Sequence, residues 1–449
     1  MNSALNVAKF GGTSVATYQT MRSCAKIVAD NPQTKIVVVS ASAGVTNHLV
    51  ALANSALTSG QIEELVSQIN DVELAIVQQL NHADEVNEKL NVLLEELTEL
   101  AKHEEINFRD DLKDALLSMG ERMSSLLFAA VLREFDVPAS NFDVRKVLRT
   151  DSLFTQAVPE LSTIKQLAQT LLIPELAHSV LVTQGFVGAD EQGRTTTLGR
   201  GGSDFTAALL AEAVDAQTCE IWTDVIGVYT TDPRITDKAR PLSELSFEEA
   251  AEMATFGAKV LHPATMEPAL RQNIRVFVGS SREPEKGGTW IIKNCEHEPS
   301  YRAITRRKDQ VMVTVKTPKM MYAQGFLQRV FTIIAKHKLS VDLVTTSEIS
   351  VSFTLDNPPN SVSEKMNKET LAELTTICEV TVEQGYDVVT VVGNNMHSAA
   401  GVSSRIFEAV AGFNLRMICF GANPHNLSFV VSNADSDDAV KVLHRNLFE

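Results

Sequence analysis

Two apolar, β-branched runs, each ending in small residues and giving way to a helical pattern, constrain the fold of this chain more than any other feature. Leu5 to Phe10 runs into Gly11-Gly12-Thr13-Ser14 and then a helical pattern from Ala16 to Val28. Lys35 to Val39 ends in Ser40-Ala41-Ser42-Ala43-Gly44. A strand that is apolar on both faces must be covered on both faces, so the pattern predicts parallel strands in an α/β sheet with ligands at their carboxyl ends. The same signal returns at Ser179 to Thr183, Thr218 to Thr223 and Arg275 to Val278, with helical patterns over 204–214 and 246–257 between them. This alternation predicts one three-layer α/β/α domain over residues 1–292. Gly287-Gly288 and the charged, apolar-poor stretch 293–310 mark its end and read as a linker or edge segment.

From about 61 to 118 the pattern changes. Ile62, Leu65, Ile69, Val72 and Ile76 recur at helical spacing with acidic residues between them. The heptad breaks near His82-Ala83-Asp84, which favours a helical excursion packed on the domain over a partner-binding coiled coil. No chemistry is assigned to it. The last third repeats itself. Gly325 and Gly401, Val330 and Ile406, Phe331 and Phe407, Leu339 and Leu415, and Phe353 and Phe429 are all 76 residues apart. Each copy reads strand, Gly turn, helix, strand, strand, helix, which predicts two ferredoxin-like βαββαβ units at 311–385 and 386–449.

Charge bounds the partners. With 40 Lys and Arg against 56 Asp and Glu, the formal net charge of −16 disfavours a nucleic-acid or anionic-membrane surface. An anionic ligand must then be drawn in by a local basic cluster. The five cysteines are scattered and in no CxxC or Cys/His pattern, so neither a disulfide framework nor a zinc site is expected. No basic segment leads into an apolar one at the start, and no apolar run approaches the ~20 residues that span a bilayer, so a soluble, cytoplasmic protein is expected.

Neither the P-loop nor the dinucleotide-binding glycine pattern occurs in the chain. Two other glycine-rich segments stand out. In Gly199-Arg200-Gly201-Gly202-Ser203-Asp204 a bent backbone and the helix that follows offer N–H groups to an anion. Arg200 can hold a carboxylate bidentately, and Asp204 suits either an N-cap or a partner for a lysine. In isolation this loop reads equally well as a capped glycine turn. Lys9-Phe10-Gly11-Gly12-Thr13-Ser14-Val15 places one ammonium beside a second such turn.

Together these segments resemble the aspartate kinases of the amino-acid kinase family. Val39-Ser40-Ala41-Ser42-Ala43-Gly44-Val45-Thr46, Trp222-Thr223-Asp224-Val225, Thr231-Asp232-Pro233-Arg234 and Phe256-Gly257-Ala258-Lys259-Val260-Leu261-His262-Pro263 are similar to further signatures, in the family's order. The tail repeats resemble tandem ACT domains, and the likeness is to the monofunctional, lysine-sensitive branch. The resemblance implies transfer of the ATP γ-phosphoryl group to the side-chain carboxylate of L-aspartate. A carboxylate is already ionised at neutral pH, so the site needs no general base, only positioning and charge neutralisation.

Carried over residue by residue, the resemblance places Lys9 on the transferring phosphoryl group and Asp204 as the carboxylate that orients Lys9 or the phosphate-side network. Arg200 would clamp the α-carboxylate of aspartate and Glu121 its α-ammonium, with Ser40 and Thr46 adding hydroxyl contacts. Gly11, Gly12, Thr223, Asp224, Tyr229, Arg234, Lys259 and Val260 would contact ATP, whose phosphates Mg²⁺ would bridge, with no protein ligand named. Both tail units offer a glycine turn before an apolar-faced helix, but where the first has Asp342 the second has Ile418. An amino-acid effector, L-lysine by the resemblance, is therefore expected in the first unit. Its contacts would be Met320, Gly325, Phe326, Leu327, Ser340, Val341, Asp342, Ser347 and Glu348. A homodimer through the ACT units is expected, with a tetramer left open. The rival readings are a kinase for another acceptor and an inactive amino-acid sensor on the same scaffold; the sensor's expected mark, loss of Lys9, Arg200 or Asp204, is absent.

Overall fold

A computed structural model describes residues 5–54, 56–258, 261, 263–322, 324–355, 366 and 368–449. It divides into two compact units. The first holds the described chain up to Val228, Pro241–Phe247 and the described part of Lys259–Cys295; the second holds Tyr229–Arg240, Glu248–Ala258 and Glu296–Glu449.

In the first unit β1 (Asn6–Phe10), α1 (Tyr18–Ala29) and β2 (Thr34–Val39) follow the predicted strand, turn, helix, strand order. Thr17 caps α1 reciprocally with Thr20, which explains why the helix begins just after the glycine turn. Next come α2 (Val45–Asn54), α3 (Ser59–Val77), α4 (Ala83–Ala101), α5 (Asp110–Leu117) and α6 (Met119–Arg133). The expected helix break lies between α3 and α4, with His82 at the N-cap of α4. Then follow β3 (Ala139–Phe142), α7 (Leu161–Leu167), β4 (Val180–Gln184), β5 (Val187–Ala189), β6 (Thr195–Thr197), α8 (Gly202–Ala213), β7 (Thr218–Thr223), β8 (Glu244–Ser246), α9 (Phe247–Thr255), α10 (Met266–Gln272), β9 (Arg275–Ser280) and β10 (Gly288–Ile292). All of α9 beyond Phe247 belongs to the second unit.

Eight strands form one sheet in the order β3-β4-β2-β1-β7-β9-β10-β8. The six from β3 to β9 are mutually parallel, as the doubly apolar runs require. Ala8, Phe10, Val37 and Val39 pack with α1, α6 and the α3–α4 pair in one core, and α8 and α10 pack together with β1 next to α8. The stretch Asp110–Arg133 is long and apolar enough, by length and composition, to cross a membrane, which corrects the reading that no run approaches that length; 78% of its most apolar window is buried, so here it is a core helix pair.

The second unit is built on β11 (Ala303–Lys316), α11 (Phe326–Lys336), β12 (Val341–Thr346), β13 (Ser350–Leu355), α12 (Lys368–Thr375), β14 (Glu379–Val392), α13 (Val402–Ala409), β15 (Met417–Phe420), β16 (Asn426–Ser432) and α14 (Asn433–Phe448). Six strands form one sheet, β12-β13-β11-β14-β16-β15. The 76-residue repeat is a repeat of geometry. Gly325 and Gly401 both sit in the left-handed region (φ 78° and 84°) as N-caps of α11 and α13. The hydroxyl pairs Thr314–Ser352, half-buried, and Thr390–Ser428, buried, are both 2.8 Å apart.

The two copies are not separate beads, however. Residues 293–310, expected as a linker or edge, are in part the first half of β11 at the centre of the sheet. Ala303–Arg307 pairs with Val388–Val392, while Val311–Lys316 pairs with β13 and Met312–Lys316 with Glu379–Glu383. One long strand thus serves both copies, its two halves joined by an irregular register around Asp309 (φ 55°). The charge of Arg306, Arg307 and Lys308 hid this strand, but Arg306 is ion-paired with Asp437 and Arg307 with Asp342.

Candidate active site

The carboxyl ends of β1, β2 and β7, neighbours in the sheet, bring together most of the candidate residues of the first unit. Lys9, next to last in β1, is 8% exposed. Its Nζ lies 2.7 Å from Asp204 Oδ1. Of the two roles open to Asp204 the structure selects the lysine partner: Gly201 (φ 74°) is the N-cap of α8, with no side-chain cap, and Asp204 lies inside the first turn. Gly199 (φ 73°) is also left-handed, a conformation that glycine adopts without strain.

The Gly11-Gly12 turn is tied down on both sides. Gly11 N–H donates to the carbonyl of Trp222 in β7 at 3.2 Å, and the carbonyl of Gly12 accepts from Ala43 N–H at 3.1 Å. A Cβ on Gly12 would stand 2.8 Å from the Ala41 carbonyl oxygen, so no larger residue fits without moving the backbone after β2. Ser40 is half-buried: its N–H donates to Phe10 O, and its carbonyl accepts from Ser124 Oγ at 2.8 Å. Thr46 is exposed in the first turn of α2.

Glu121 comes from the first turn of α6 and is 6% exposed. Burial pushes its carboxyl up to about 8, against the opposing pull of the Ala41 N–H, its own N–H and the Lys9 ammonium. A second buried acid, Glu73 of α3, accepts from Ser42 Oγ at 3.2 Å and is pushed up to about 8 by burial, with Glu121 adding to the rise. Glu73 was not among the expected site residues. Its signal was an acid on the apolar stripe, since Ile69, Glu73, Ile76 and Val77 are the buried residues of α3. Arg200 is exposed, with no ion-pair partner among the described residues. A buried acid with a raised pKa and an exposed guanidinium are the two kinds of group that a zwitterion's ammonium and carboxylate require.

At the end of β7, Thr223 hydroxyl donates to Asp224 at 3.3 Å, and the Thr223 carbonyl accepts from Ser281. Asp224 is exposed. The remaining candidate nucleotide contacts lie outside the described part of the first unit. Tyr229 and Arg234 belong to the second unit; Arg234 is 83% exposed in its side chain and clamped by Asp232 at 2.6 Å in an Asp-Pro turn. Lys259 and Val260 lie outside the described residues.

Among the candidate effector residues, Gly325 caps α11 and Phe326 is 5% exposed behind it. Met320 is half-buried and Leu327, Ser340, Ser347 and Glu348 are exposed, with Ser347 bonded to Ser350 at 2.7 Å. Val341 and Asp342 open β12. The carboxylate of Asp342 faces Arg307 of β11 at 3.0 Å, an unexpected partner from a stretch expected as a linker or edge.

Residues 4–280 match the model of the amino acid kinase family and residues 389–447 that of an ACT domain. The chain is 47% identical over 449 residues, the whole of both chains, to the lysine-sensitive aspartokinase 3 of Escherichia coli K12. The crystal structure of E. coli aspartokinase III with aspartate and ADP (R-state) superposes with a TM-score of 0.90, covering 99% of this chain and all of that one. The same enzyme with lysine and aspartate (T-state) gives 0.86, with full coverage of both. The chain belongs to the aspartokinases, a branch of the amino acid kinase family.

Proposed function

We propose that this protein is an ATP-dependent aspartate 4-kinase that transfers the γ-phosphoryl group of ATP to the side-chain carboxylate of L-aspartate, giving 4-phospho-L-aspartate. The observation that carries the reading is the Lys9–Asp204 pair at 2.7 Å, buried at the end of the central strand beside Glu121. Lys9 neutralises charge on the moving phosphoryl group, and Asp204 holds the ammonium in place. Arg200 and Glu121 take the two ends of the amino acid, with Ser40 and Thr46 as hydroxyl contacts. The Gly11-Gly12 turn, Thr223 and Asp224 receive the nucleotide, together with Tyr229, Arg234, Lys259 and Val260. Full-length likeness to an enzyme crystallised with aspartate and ADP supports both substrates.

Mg²⁺ accompanies ATP in this reading. Among the described residues no three Asp, Glu, His or Cys side chains gather into a metal cluster, which suits an ion held chiefly by phosphate oxygens and water. Bound there, it neutralises phosphate charge.

The protein is feedback-inhibited by L-lysine bound at the first ACT copy, through Met320, Gly325, Phe326, Leu327, Ser340, Val341, Asp342, Ser347 and Glu348. It works in the cytoplasm as a homodimer joined through the ACT copies. Likeness to a lysine-sensitive enzyme crystallised with lysine supports the effector, and the Asp342/Ile418 contrast supports the choice of copy. The domain division proposed is a kinase domain at 1–292 and ACT copies at 311–385 and 386–449, the second completed by the first half of β11. The test is ADP release from ATP with L-aspartate, repeated with lysine, threonine or methionine. Turnover that depends on aspartate and falls with lysine alone is expected; release indifferent to aspartate overturns the reading.

A further inference from the structure

Asp114 of α5 is wholly buried, and the mechanism above makes no use of it. Its three hydrogen bonds converge from two separate segments. Oδ2 accepts the backbone N–H of Thr155 at 2.9 Å and that of Thr197 at 2.8 Å, and Oδ1 accepts the Thr197 hydroxyl at 2.7 Å. Thr197 ends β6, two residues before Gly199 and three before Arg200. Thr155 is a β-branched residue held in the left-handed region (φ 69°), a conformation that persists only where its surroundings impose it. Its carbonyl supports the glycine loop, since a Cβ on Gly199 would lie 3.2 Å from Thr155 O. A fourth bond closes the clamp: Ala157 N–H donates to Thr197 O at 2.9 Å.

The far end of the same loop is anchored by other groups. Gly185 packs so closely that a Cβ there would meet Ser203 at 2.5 Å, a Cβ on Gly202 would meet Phe186 at 3.0 Å, and Phe186 N–H donates to Thr206 in α8 at 2.9 Å. The start of α8, with Asp204 and hence Lys9, is therefore held without Asp114. The approach to Arg200 is held by it.

We propose that Asp114 is a positioning residue that sets the start of the Gly199-Arg200 loop and so governs binding of the amino-acid substrate through Arg200, separately from phosphoryl transfer. This rests on the reading of Arg200 as the clamp for the α-carboxylate of aspartate. Asp114→Ala strips all three bonds and takes this acceptor from the buried Thr197 N–H and from the Thr155 N–H. Asp114→Asn is the conservative rescue, because its carbonyl can accept both N–H groups while its amide donates to the Thr197 hydroxyl.

The experiment is steady-state kinetics with each substrate varied in turn. Asp114→Ala should raise the aspartate KM at least about tenfold, with the ATP KM and kcat within about twofold, and Asp114→Asn should recover most of the loss. Hydrogen exchange should quicken across 197–201 and stay unchanged in the body of α8. If the alanine variant does not fold, Thr197→Val, which deletes one bond only, should raise the aspartate KM about threefold with the ATP KM unmoved. A folded variant with an unchanged aspartate KM, or with both KM values shifted equally, overturns the proposal. Arg200→Ala separates the two readings: if it leaves the aspartate KM unchanged, the role given to Arg200 fails; if it raises that KM while the Asp114 and Thr197 variants do not, only the present proposal fails.

Discussion

Lys9 and Glu121 show how burial gives ordinary side chains a specific task. Removing the single ammonium at the moving charge by Lys9→Ala should lower kcat by about 10²- to 10³-fold with the fold intact, measured by single-turnover kinetics beside circular dichroism. Glu121 makes the opposite kind of prediction. Its carboxyl is raised from 4.5 to about 8 by burial, so between those values the unfolded chain has released a proton that the folded protein still holds. Stability therefore falls as pH rises through that window. Glu121→Gln should raise the melting temperature at pH 8 while abolishing aspartate binding. In the parent, the aspartate KM should fall as pH rises from 7 to 9, because the ammonium needs the ionised carboxylate. A destabilised glutamine variant, or a flat KM profile, would remove Glu121 from the site.

At the scale of elements, the site is made by close approach. The turn after β1 and the segment after β2 touch at Gly12 and Ala41, and Ala41 in turn donates its N–H toward Glu121. Gly12→Ala should therefore act at a distance from its own position: the added Cβ pushes on a backbone carbonyl, and overpacking of this kind costs about 1–3 kcal/mol. The expected result is a rise in both the aspartate and the ATP KM, with the melting temperature lowered by a few degrees. Gly60→Ala is the control. Gly60 lies at the start of α3, where a Cβ meets nothing, and alanine there should be neutral or slightly stabilising.

At the scale of the whole molecule, β11 of the second unit touches both a candidate nucleotide segment and a candidate effector residue. Ile304 of β11 donates its N–H to Thr230 O at 2.7 Å, next to Tyr229, and His444 of α14 meets the Thr230 hydroxyl at 2.9 Å. A Cβ on Gly257 would stand 2.4 Å from Arg306 O, so the end of α9 also leans on β11. Three residues along from Ile304, Arg307 pairs with Asp342. If Asp342 receives the effector's ammonium, as proposed, that ammonium competes with the guanidinium for the same carboxylate. Asp342→Ala should weaken lysine inhibition at least about tenfold, within the usual ~1–3 kcal/mol of allosteric coupling. Arg307→Ala should strengthen lysine binding severalfold by freeing the carboxylate, and Ile418→Ala should leave it unchanged. Calorimetric titration of lysine into the three variants checks this. Weaker binding in Arg307→Ala would mean that the guanidinium supports the site rather than competes for it.

The sequence by itself determined the parallel core, the glycine turns at its strand ends, the helical excursion and the 76-residue repeat. Each is written in local periodicity or in φ values that favour glycine, and Lys9, Asp204 and the glycine segments stood out by residue type and spacing. Only the tertiary structure decided which partner a side chain has. Asp204 could have capped its helix, and became the partner of Lys9 because the left-handed Gly201 took the cap. Asp114 and Glu73 look like solvated helix acids until packing buries them, and Ala303–Arg307 looked like a linker until β14 paired with it. Hydrogen bonds between residues far apart in the chain leave no local pattern, because a donor and an acceptor need only meet in space.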